Sequence, residues 1–125
     1  MSSTVPDERG GVATRVDELE AAVARAEDAF EPPEEPEVRA KRYCREGVGP
    51  TVVLYVDCRT GGPELPAAQC SRLESILNRW LELYANCYGV ELNTTFALRT
   101  AAEVLVETHN AVDVAQLLTT VPDRH

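Results

Sequence analysis

The side chains that could do chemistry are thinly spread in this chain: four cysteines at 44, 58, 70 and 87, two histidines at 109 and 125, and acids and arginines with few telling spacings. The densest cluster is "VDCRTGG", where Asp57, Cys58 and Arg59 follow an apolar run and precede two glycines. A strand-to-loop junction of this kind can hold a nucleophile or cradle a phosphate, so it is compared with the patterns such chemistry needs. A phosphatase cysteine loop requires C-x5-R, yet the sixth residue after Cys58 is Glu64, whose carboxylate repels phosphate. An aspartyl-phosphate phosphatase requires D-x-D, and the residue two on from Asp57 is Arg59. A P-loop, a dinucleotide fingerprint and a C-x-x-C redox pair are also absent. The junction therefore reads as a strand exit and a glycine turn. Arg59 is left as a candidate anion ligand at the next helix N-terminus, opposed by Glu64 and by the donor lost at Pro66.

The remaining nucleophiles and ligands are equally isolated. Structural zinc sites bring ligands in close pairs, whereas these cysteines stand singly, so no metal or cofactor is predicted. Cys70 and Cys87 fall on an apolar helical stripe and read as small hydrophobes. Cys44, between Arg42 and Arg45, is the thiol whose neighbours would lower its pKa. His109 reads as a helix C-terminal residue, and Glu103 with Glu107 as a solvated face. Asn93-Thr94-Thr95 matches a glycosylation acceptor, discounted here because no export signal precedes it.

One positive signal for a charged ligand exists. "RAKRYCR" supplies Arg39, Lys41, Arg42 and Arg45 around Tyr43, a pattern able to contact phosphates and stack a base. It also directly follows residues 1–38, whose eleven acids and three arginines give a net charge of −8, so balancing that charge or contacting a protein is the competing explanation. The C-terminal "NAVDVAQLL" offers no base for a DNA-reading helix.

These residues must be positioned by a short series of elements. Val12, Val16, Leu19, Val23, Ala26 and Phe30 recur at the 4-3 spacing of a coiled-coil seam and predict an acidic amphipathic helix in need of a partner. "EPPEEPE" then stops that helix and predicts a solvated linker, dividing the chain into an arm and linker over 1–37 and a domain over 38–125. Val52 to Val56, bounded by Gly49-Pro50 and Gly61-Gly62-Pro63, predicts a buried strand. A long helix from Pro66 to about Tyr88, with Gly89 as its cap, follows and is expected to lie across a sheet. "VELNTTFALR" alternates with period two and predicts a second strand; a helix starting at Asn93 is the competing reading. Thr100 with Glu103 and Asn110 with Asp113 predict caps of two short helices, and the tail "TTVPDRH" a last strand or frayed end. The sum is an α/β fold, with α+β as the variant: a small βαβ unit around a long central helix. Two strands rarely suffice, so the shortage points to a homodimer.

Composition sets the background. Acids outnumber bases 21 to 12 for a net charge of −9, and Lys41 is the single lysine. This balance resembles that of proteins from halophilic archaea, where carboxylates keep the surface hydrated. No segment suits a signal peptide or membrane span, and free thiols fit a reducing compartment, so a cytoplasmic location is predicted. The function these readings favour is a non-catalytic interaction or oligomerisation module working through the 12–30 stripe, as a homodimer or with a protein partner. A nucleic-acid-associated regulator using residues 39–45 is the second reading, and a thiol- or anion-dependent enzyme using Cys58 or Cys44 the third.

Overall fold

Proline at the head of a helix gives up an N–H that has no intrahelical acceptor there and supplies a φ that is already helical. Pro36 takes such a position and Pro66 stands just ahead of one as a helix N-cap in the computed structural model, which describes residues 11–121, whereas Pro50 lies within a helical run that is already under way. The described elements are α1 (Gly11–Asp28), α2 (Pro36–Tyr43), a π-helical segment (Cys44–Val48), α3 (Gly49–Arg59), α4 (Ala67–Cys87), α5 (Leu98–Thr108) and α6 (Ala111–Thr119). The predicted α/β architecture is thus corrected: among the described residues there is no strand and no sheet, and the fold is all-helical. With the strands gone, the argument for a dimer from too few strands lapses. The part of the expected tail strand beyond Val121 lies outside the described residues.

Both strand expectations fail for physical reasons. Val52 to Val56 belongs to α3, where Thr51, Val52, Leu54 and Tyr55 are buried while Val53 points outward, the pairing of a helix face rather than of a strand. A short apolar run carries no period long enough to separate the two. Gly49 stays helical before Pro50, as a residue without a Cβ can, and its N–H reaches back five residues to the Cys44 carbonyl. α2, the π segment and α3 therefore follow one another without a break. The Gly61-Gly62 pair is a helix stop: Gly61 adopts φ 102° and the Gly62 N–H bonds the Asp57 carbonyl at 2.8 Å.

Residues 90–97, the other expected strand, form an irregular connection held by a side chain instead of a neighbouring strand. Asn78 of α4 accepts from the Phe96 N–H at 2.7 Å and donates to the Phe96 carbonyl at 3.0 Å. Glu74 then accepts from the Leu98 N–H at 2.9 Å, so α5 begins at Leu98, ahead of the expected Thr100 cap. The Asn110 cap of α6 is present as expected, with the side chain accepting from Val112 N at 2.8 Å and Asp113 N at 3.3 Å. Gly89, at φ 75°, ends α4 as expected.

The long helix α4 lies across no sheet; it is the hub, touching every other element. Leu73, Leu77, Trp80, Tyr84 and Cys87 are all buried along its stripe. α1 runs parallel to it: Asp17 and Glu20 pair with Arg72, while Glu20 and Glu27 pair with Arg79, so both partners advance together. The heptad pattern of α1 is therefore satisfied inside the chain. Val12, Val16 and Val23 are buried, and Leu19, Ala26 and Phe30 pack partly covered against the same core. Each fully buried valine contributes roughly 1.5–3 kcal/mol.

Candidate functional site

Of the residues that sequence reasoning assembled into a nucleic-acid contact, Arg39, Arg42 and Tyr43 line one groove between α1 and α2, while Lys41 and Arg45 stand outside it. Tyr43, expected to stack on a base, is 6% exposed and packs its ring 5.7 Å from that of Trp80. Lys41 pairs with Glu37 at 3.7 Å and Arg42 with Glu46 at 3.3 Å, each one turn away. Arg45 is exposed, and Arg39, half-buried, faces the groove between α1 and α2.

The thiols on which the third reading depends, Cys44 and Cys58, both have raised pKa values. Cys44 is fully buried, and desolvation, with a smaller contribution from the neighbouring Cys87, pushes it up to about 12 despite the flanking arginines. Burial likewise raises Cys87 to about 11. Cys58 is half-buried and its pKa is also raised, by burial first, with Arg15 pulling the other way. All four are free thiols, and no cluster of three metal-ligating side chains occurs among the described residues. His109 is an exposed residue at φ 55° just past α5.

Arg59, the candidate anion ligand, is the last residue of α3. Its guanidinium stands 5.8 Å from the Tyr55 ring centroid, within the usual range of a cation–π contact. Both side chains line a surface groove of about 620 Å³ between α3 and α5. Tyr55, Val56, Ala102 and Val106 give it an apolar lining, and Arg59, Arg99, Glu103 and Glu107 stand among them. Val106 is 57% exposed, an apolar side chain that this chain leaves uncovered.

Sequence reading passed over this groove, although one signal was available. Val104, Leu105 and Val106 are consecutive, and on a helix three neighbouring side chains span too wide an arc to share one buried face.

A family described as a domain of unknown function, DUF8055, matches residues 10–123, and the chain belongs to it. The match takes in α1 as well as everything that follows, across the boundary expected at 37/38. No curated protein and no solved structure matches the chain.

Proposed function

We propose that this DUF8055 chain is a non-catalytic association module whose α3–α5 face meets the same face of a second copy. The observation that carries this reading is Val106, exposed beside an apolar groove that holds two guanidiniums and two carboxylates. An isologous contact requires a patch complementary to itself, and a charge-balanced patch with an apolar floor has that property. The groove's two arginines and two glutamates balance locally in a chain whose net charge is −9. The 12–30 stripe is not called on for the contact in this reading, since Val12, Val16 and Val23 are buried and Leu19, Ala26 and Phe30 are partly covered within the chain.

Light scattering after size exclusion, at low and high salt, tests the reading on the full chain, Val106→Glu and Val38→Glu. Val38 is 62% exposed on α2, outside the groove, and serves as the control. The full chain and V38E are expected at twice the mass of one chain, and V106E at the mass of one with unchanged helical circular dichroism. A monomeric full chain, or a V106E that remains dimeric, refutes the second-copy reading; the former outcome leaves the groove to a different protein.

A further inference from the structure

A second groove, of about 380 Å³, runs between α1 and α2 and is chemically unlike the first. Arg25 comes to it from α1, and Arg39 and Arg42 from α2. Glu46 is the one acid lining it and is bonded to Arg42 through both carboxylate oxygens at 3.3 Å. Three guanidiniums and one carboxylate leave the groove at a net charge of +2 in a chain whose net charge is −9. Arg72 and Arg79, by contrast, are both held by acids of α1. Arg25 and Arg39 have no ion-pair partner among the described residues, although acids outnumber bases 21 to 12.

The walls and floor add two independent observations. Ala22, Ala26 and Ala29 line the α1 side with short side chains, and Tyr43 lines the groove together with Trp80. Trp80, which lines the same groove, is 2% exposed, and its indole N–H has no acceptor. A buried donor without a partner is costly and calls for an explanation. The volume falls within the range of small-molecule sites, and guanidinium groups recognise carboxylate and phosphate oxygens in bidentate fashion.

We propose that the α1–α2 groove is a binding site for a small dianion, a phosphomonoester or a dicarboxylate, held by Arg25 and Arg39 with Arg42 oriented by Glu46. The site is separate from the α3–α5 face and does not depend on association there.

Trp80 is the only tryptophan, so its fluorescence reports on this groove directly. The full chain is titrated with inorganic phosphate and, separately, with succinate at constant ionic strength, with calorimetry in parallel. Saturable binding of either probe is expected, and which one saturates separates the phosphate from the carboxylate source. Arg25→Gln and Arg39→Gln are each expected to weaken it about tenfold or more, the loss of one charge-assisted contact. Arg45→Gln, outside the groove lining, is expected to bind as the unaltered chain does. No saturable signal by either method, or an R25Q or R39Q variant that binds as tightly as the unaltered chain, overturns the proposal.

Discussion

The indole of Trp80 rests on the backbone of Gly47: a Cβ added to that glycine would stand 2.1 Å from Cδ2 and 2.5 Å from Cε3 of the ring. The contact joins the hub helix α4 to the π segment, three residues before Pro50. It explains why the chain has glycine inside a helix, where glycine otherwise weakens it.

Gly47→Ala should therefore act through the ring. Neither a buried indole nor a helix backbone can retreat by the ångström required, so the substitution is expected to cost about 3 kcal/mol, at the upper end for overpacking. Urea denaturation measures this. In a Trp80→Leu background, itself destabilised, the added cost should largely vanish, and a double-mutant cycle should return a coupling above about 1 kcal/mol. Equal costs in the two backgrounds would show that the ring contact is not the cause.

Val16 distinguishes a core helix from an arm. It is 0% exposed against α4. Val16→Asp places an unpaired carboxylate in that contact and should cost about 3 kcal/mol or more. The expected outcome is loss of cooperative unfolding for the whole chain, followed by circular dichroism. A variant that keeps its fold while losing only association would instead describe a free arm.

Much of this was legible in the sequence as pattern but not as partnership. The 4-3 spacing from Val12 to Phe30 and the stripe from Cys70 to Cys87 are both real seams, and nothing in either spacing says that they face each other. The glycine cap at 89 and the Asn110 cap could be read because each acts on neighbouring backbone. Phe96 could not, because its backbone is satisfied by Asn78, eighteen positions earlier, so the alternation from Val90 to Arg99 imitates a strand that has no strand beside it. Cys44 was misjudged for a similar reason: flanking arginines are visible in sequence, while the burial that outweighs them is not.

The α1–α4 contact should weaken in acid. The side-chain hydrogen bonds from Arg79 hold the Glu27 carboxyl below the ordinary glutamate range. A carboxylate whose folded pKa is depressed contributes stability above its unfolded value and loses it as pH falls through that value toward the folded one. Both partners are partly exposed, so solvent screens the pair and its worth is under about 1 kcal/mol. Glu27→Gln should cost that much at neutral pH and flatten this part of the stability profile, as denaturation midpoints across the acid range will show.

The thiols should separate into two classes. Cys44 and Cys87 are buried and pushed to about 12 and about 11, whereas Cys58 and Cys70 are half-buried. Iodoacetamide near pH 8, with peptides identified by mass spectrometry, should label Cys58 and Cys70 well before the other two. Early labelling of Cys44 would restore it as a reactive thiol.

The claim that association runs through α3 and α5, with α1 spent inside the chain, is tested most directly by amide hydrogen exchange at low and high protein concentration. Protection that rises with concentration in α3 and α5, and stays constant in α1, is the result expected. Concentration-dependent protection in α1, or none anywhere, would contradict it.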